Sequence, residues 1–144
     1  MSVKHRIDIK TGSVQGAGTD ENVHVEFAVD GIDLGSLTLP GSGGRFENSR
    51  FDAFIFYAPF AFQHATTCSL RIGHETNDNP DWYCEKVAIS ADWWAVIFEV
   101  NDWIRAGQPA KTFHRSNFDL TEVTFKAADT ISLFDEQTGK PKLR

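Results

Sequence analysis

Apolar residues recur at every second position along most of the first hundred residues. Ile7 and Ile9 alternate with Asp8 and Lys10. Val23, Val25, Phe27 and Val29 alternate with His24, Glu26, Ala28 and Asp30. Successive side chains of a strand point to opposite faces, so each run sets one row inward and one toward water. The pattern returns at Leu37 and Leu39, Phe54 and Phe56, Leu70 and Ile72, Val87 and Ile89, and Val96, Phe98 and Val100. Turn-forming clusters separate the runs: Gly16-Ala17-Gly18, Asp30-Gly31, Pro40-Gly41-Ser42-Gly43-Gly44 and Asn77-Asp78-Asn79-Pro80. Short strands punctuated this way predict an antiparallel sandwich or barrel. No long helical period and no internal repeat is present.

The sandwich is expected over residues 1–104. Beyond the break Ala106-Gly107-Gln108-Pro109, residues 105–144 form a C-terminal extension expected to pack on the same domain. Leu120, Val123 and Phe125, then Ile131 and Leu133, would make two more strands around Ala127-Ala128-Asp129. The polar end, Glu136 to Arg144, reads as a frayed tail.

Composition narrows the class. Of 144 residues, 41% are apolar and 24% charged, which excludes a disordered or low-complexity chain. A domain of this size buries roughly 68–70% of its unfolded surface and can hold a core without disulfides or metal. Its 14 basic against 20 acidic residues give a net charge of −6, which argues against nucleic acid as a partner. No stretch approaches the roughly 20 apolar residues of a membrane-spanning helix. The start, MSVKHRIDIKTGS, lacks an apolar signal region, so the expected location is the cytoplasm, with peripheral membrane contact open. The two cysteines, Cys68 and Cys84, match no zinc spacing and no disulfide framework. A hairpin of 68–74 with 82–89 would keep them apart.

Three segments carry a more specific signal. The first is Thr11-Gly12, then Gly16-Ala17-Gly18-Thr19-Asp20, followed by the run Asn22 to Phe27. The second is Phe46-Glu47-Asn48-Ser49 with Asp52-Ala53-Phe54. The third is Leu70-Arg71-Ile72-Gly73-His74, then Asn79-Pro80-Asp81-Trp82-Tyr83, Val87, Phe98 and Asn101-Asp102-Trp103-Ile104. In this order and spacing, residues 4–104 resemble the PLAT domain, also called LH2, of lipoxygenases, pancreatic-type lipases, polycystins and a clostridial phospholipase toxin. The resemblance implies an eight-stranded antiparallel β-sandwich. It also implies a non-catalytic module that docks on lipid surfaces or protein partners, in several members with Ca²⁺ in the loops at one end.

Ca²⁺ takes six to eight oxygens at about 2.3–2.6 Å. The resemblance assigns candidate ligands to Gly16, Gly18, Thr19 and Asp20, to Glu47, and to Glu75, Asn77 and Asp78 after His74. The sequence departs from ion-binding members at Ser13, where Asp is frequent, at Gly44-Arg45, where Asn or Asp would favour a cation, and at His74-Glu75-Thr76. The alternative is a set of sandwich-end turns with no metal, Asp20 closing an Asx-turn. His74 and Cys84 form no recognisable nucleophile–base set, so no enzymatic site is expected.

The sequence holds 12 Phe and four Trp, more than one small core needs. The resemblance places Trp82 and Trp103 in that core. Tyr57, Phe60, Phe62, Trp93 and Trp94 are then candidates for contact with a membrane or a partner, since aromatic loop tips favour the bilayer interface. Equally, they could pack under the extension. Lys4, His5, Arg6 and Lys10 form either a basic patch or a solvated edge strand. Two functions follow: a lipid-docking module, with or without Ca²⁺, or an adaptor for a partner such as a lipid-processing enzyme, without lipid contact.

Overall fold

The alternation that begins near Val3 runs as the central strand of a sheet. A computed structural model describes residues 2–41, 44–74 and 81–116 and the backbone of 130–132. Strand β1 (Val3–Thr11) pairs antiparallel with β4 (Phe51–Ala58) and with β6 (Trp82–Ala91), and β6 pairs with β7 (Trp94–Ile104). The facing sheet is built from β2 (Val23–Val29), β3 (Ile32–Leu39), β5 (Thr67–Ile72) and β8 (Lys111–His114), in the order β3-β2-β5-β8. These two four-stranded antiparallel sheets make the sandwich. A ninth strand, β9 (Thr130–Ser132), extends the first sheet to β7-β6-β1-β4-β9 and runs parallel to β4.

Parity along each strand selects the core. Ile7 and Ile9, Phe54 and Phe56, Val87 and Ile89 face Val25 and Phe27, Leu37 and Leu39, Leu70 and Ile72, all fully buried. Burying such a side chain contributes roughly 1.5–3 kcal/mol, and this sets the register, because a one-residue slip would turn every row outward. One row breaks the rule. Ala53, Asp8, Ala88 and Ile97 are directly registered across β4, β1, β6 and β7 on the outer face, yet none exceeds 9% exposure. At one end of this row the Ser116 N–H donates to the Ile97 carbonyl, and at the other Ala53 pairs with Thr130.

Several expectations change. β5 and β6 do not form a hairpin: they lie in opposite sheets, and the chain switches sheets between them. Alternation fixes which face is inward but not which strand is adjacent. Cys68 and Cys84 are nevertheless free, both buried in the core. The eighth strand of the sandwich lies past residue 104, at Lys111–His114, where Phe113 packs against the core. Ile131 falls in β9, whereas Leu120, Val123, Phe125, Leu133 and the tail lie outside the described residues. The basic group Lys4, His5, Arg6 and Lys10 is neither an edge strand nor a continuous patch. β1 is interior to its sheet, His5 is in the core, Arg6 is paired with Asp8, and Lys10 Nζ donates to the Ser49 carbonyl at 2.8 Å.

Candidate functional site

Two ends of the sandwich carry candidate residues. At the first, the chain leaves β1 through Gly12 and loops to Asp20 before β2. Main-chain bonds lace this loop to its neighbours. Gly12 N–H donates to the Tyr83 carbonyl at 2.9 Å, Tyr83 N–H to the Ala17 carbonyl at 2.9 Å, and Thr19 N–H to the Phe46 carbonyl at 3.1 Å. Gly18 permits the last contact. A Cβ there would lie 3.1 Å from the Phe46 carbonyl oxygen and 3.2 Å from Glu47 Cα, backbone atoms that cannot swing aside. Buried Asp52 holds the facing turn, accepting from Phe46 N–H at 2.9 Å and from Arg50 Nε at 2.8 Å.

These bonds enclose a recess of about 270 Å³, lined by Gly16 to Asp20 with Glu47 and Asn48. Five of the residues expected from the sequence, Gly16, Gly18, Thr19, Asp20 and Glu47, meet there. Glu75, Asn77 and Asp78 lie outside the described residues. The recess offers Ca²⁺ two carboxylates, Asp20 and Glu47, both exposed. Its other polar side chains are engaged: Thr19 Oγ1 accepts from Glu21 N–H at 3.2 Å, and the Asn48 amide donates to the Val14 carbonyl at 3.2 Å. Among the described residues no group of three or more His, Cys, Asp or Glu is placed to hold a metal ion. Asp52 and Tyr83, which build this end, stand in the motif segments Asp52-Ala53-Phe54 and Asp81-Trp82-Tyr83, but their residue types alone signal no role in a site.

Beside the recess Tyr83 meets Trp103 edge-on at 5.4 Å between centroids, and the Arg105 guanidinium lies 4.9 Å from the Trp103 ring centre. Trp103 is half-buried rather than core, while Trp82 is fully buried and donates its indole N–H to Thr11 Oγ1 at 2.9 Å. His74 is exposed, whereas Cys84 is buried and its thiol pKa is pushed well up by that burial. The two therefore form no nucleophile–base pair.

The second end gathers the aromatics. β6 and β7 are joined by a two-residue turn, Asp92-Trp93, closed by the Ala91–Trp94 pair. Trp93 stands 76% exposed at its tip. Trp94 begins β7 and leans on the core. Phe60, after Pro59, is 46% exposed, and Tyr57 is half-buried. Phe62 corrects the expectation. It is fully buried, its N–H donating to His5 Nε2 and its ring packing 5.6 Å from Phe56 and 5.8 Å from Phe27, so it belongs to the core rather than the surface. Ile32 joins this end unanticipated, 68% exposed just after the Asp30-Gly31 turn. That turn was visible in the sequence, and a residue following it is the available signal. Lys4, Arg6, Ile55, Ser90 and Trp94 border an open recess of about 510 Å³ beside Trp93.

Residues 5–114 match the PLAT/LH2 domain family. The chain is 31% identical over 88 residues to lipoxygenase homology domain-containing protein 1 of Mus musculus, and equally to that of Homo sapiens. Each match covers 59% of this chain but 4% of the relative, so the chain spans a small fraction of these proteins. Among solved structures, coral 8R-lipoxygenase, described as calcium-activated through a C2-like domain, superposes with a TM-score of 0.65. Identity is 16%, over 78% of this chain and 17% of that one. The alpha toxin of Clostridium absonum gives a TM-score of 0.59 at 20% identity, over 78% of this chain and 31% of the toxin. At such identity these likenesses show the sandwich fold.

Proposed function

Since the chain belongs to the PLAT/LH2 family, we propose that it is a non-catalytic module that docks on a lipid surface. The observation that carries this reading is Trp93, a 76%-exposed indole at the tip of a two-residue turn. A large amphipathic ring held in water gains by entering the bilayer interface, where Trp is enriched. Among the described residues no helix is long and apolar enough to cross a membrane.

Several members of the family carry Ca²⁺ in the loops at one end. Support for it in this chain is the meeting of Asp20 and Glu47 at one recess whose walls depend on Gly18 lacking a Cβ. Those two carboxylates, with Thr19 and the carbonyls of the Gly16 and Gly18 loop, would hold the ion. Bound there, at the end of the sandwich away from Trp93, it would lower the negative charge of that end alone. So few carboxylates place the affinity in the ~10⁻⁴–10⁻³ M class.

The second reading is an adaptor for a lipid-associated or lipid-processing protein. The stacked group Tyr83, Trp103 and Arg105 favours it, because Trp, Tyr and Arg dominate interface energetics. Co-sedimentation with liposomes, with and without Ca²⁺, separates the two. Pelleting that weakens in Trp93→Ser supports the lipid module. A chain that stays in the supernatant with every vesicle leaves the adaptor.

A further inference from the structure

We propose that the chain meets a zwitterionic bilayer with the end of the sandwich away from the Gly16–Asp20 loop, through Trp93, Phe60 and Ile32, and without Ca²⁺. This inference rests on the lipid reading above and adds which end makes the contact.

Position is the first argument. The Gly12–Asp20 loop leaves the C-terminal end of β1, at Thr11. Trp93, Phe60 and Ile32 lie at the other end, beyond Ala91, Ala58 and Val29. The nine residues of β1 separate the two ends by ~27 Å. Of the four exposed large apolar side chains among the described residues, three are at this end, and Val14 alone is at the loop end.

Rigidity is the second. Two tips sit on two-residue turns, Asp92-Trp93 between paired strands and Asp30-Gly31 with both residues at positive φ (48° and 84°), and Pro59-Phe60 directly follows β4. A row of rings backs Phe60 and the turn that carries Trp93. Phe60 lies 5.6 Å from Phe62, Phe62 5.0 Å from His5, and His5 5.7 Å from Trp94. Tips already held in place lose little freedom on docking.

Shape and charge choose the occupant. The three side chains protrude from separate turns of both sheets rather than lining one groove. A protein would need a matched pocket for each, whereas a fluid interface accepts all three. Asp30, Asp33 and Asp92 are exposed beside the tips, against Lys4 and Arg115, and the chain carries a net charge of −6. An anionic leaflet would repel this end, so phosphatidylcholine is the fitting surface.

The test is binding of the full chain to phosphatidylcholine vesicles, plain or doped with phosphatidylserine, in EGTA or Ca²⁺. Three variants are compared: Trp93→Ser, Phe60→Ser with Ile32→Ser, and Asp20→Ala with Glu47→Ala. Thermal melts confirm that each folds. The expected result is binding in EGTA, no stronger in Ca²⁺, weakened about tenfold or more by Trp93→Ser, weakened by the Phe60/Ile32 pair and not improved by phosphatidylserine. Binding that requires Ca²⁺, fails in the Asp20/Glu47 pair and ignores the tip variants overturns the choice of end while the lipid reading stands. No binding to any vesicle overturns both. Self-association abolished by Trp93→Ser, without vesicle binding, would make a second copy the occupant and overturn the proposal.

Discussion

His5 Nε2 accepts a hydrogen bond from the main-chain N–H of Phe62 at 3.1 Å, which ties the start of β1 to the loop after β4. With Nε2 accepting, Nδ1 carries the proton and donates to the Val3 carbonyl at 3.0 Å. The ring also stacks on Phe56, 4.7 Å between centroids with a 6° interplanar angle. Protonation would add a donor facing the Phe62 donor.

Acid should therefore weaken the fold. Burial pushes the His5 pKa below its ordinary 6.5, only partly offset by the Val3 bond. The unfolded chain takes up this proton as pH falls below about 6.5, while the folded chain resists. Stability falls from there down to the depressed folded value, then levels off for this group. Urea melts from neutral to mildly acid pH should show the slope, and His5→Phe should reduce it. An unchanged slope in that variant would remove His5 from the account.

Phe60 and Phe62 are in ring contact but differ in consequence. Phe62→Ala should cost about 3–5 kcal/mol, the range for a buried Phe. Phe60→Ser should stay within about 0.5 kcal/mol, as exposed positions do. Equal losses in denaturant melts would contradict the assignment of Phe62 to the core.

Arg6 donates to Asp8 through Nε at 3.1 and 3.0 Å and through Nη2 at 2.9 Å. Burial pushes the Asp8 pKa up, and the Arg6 bonds and charge oppose that rise. Arg6→Leu should cost roughly 1–3 kcal/mol at neutral pH, because it leaves a largely buried carboxylate without this partner. An acid with a raised folded pKa favours the folded state most when protonated. The deficit of the variant should accordingly shrink as pH falls through the Asp8 titration. A deficit constant with pH would show that only packing was lost.

Gly18→Ala should push the Phe46–Glu47 turn away from the loop and cost about 1–3 kcal/mol. Asp20→Ala, at an exposed carboxylate, should leave the melt unchanged while removing any Ca²⁺-selective stabilisation. Ca²⁺-selective stabilisation of Gly18→Ala equal to that of the parent chain would separate the recess from the ion.

Both thiols are buried, and burial raises the pKa of each. Neither Cys68 nor Cys84 should react with Ellman's reagent in the folded chain, and both should in denaturant. Rapid labelling of the folded protein would show that the core opens there.

The sequence carried more of the faces than of the neighbours. Ile7 and Ile9 declare the inner row of β1, and the same parity extended backwards puts His5 inside, although its charge class suggested a surface patch. Phe62 was unreadable for a different reason. Pro59 ends the alternation, and Phe62 is buried by residues distant in sequence, Phe27 and His5, the latter 57 residues away. The Gly16–Asp20 and Glu47 meeting was legible through the motif order. Tyr83 fastens it through main-chain bonds and Asp52 through a carboxylate that holds the Phe46 N–H and Arg50, contacts that no pattern of side-chain types records. β8 is only four residues long and carries one packed aromatic, Phe113, too little for a periodic signal.

β9 has only three residues, yet its place beside β4 governs more than the strand count. Ala53, Phe54 and Ile55 pair there with Thr130, Ile131 and Ser132. Without that pairing, Phe51–Ala58 would be an outer strand reading FDAFIFYA, with a single charge and no proline. Such a strand is a template for another molecule's backbone. A chain cut before Thr130 should keep its core and lose its colloidal stability, forming cross-strand aggregates at concentrations where the full chain stays dispersed.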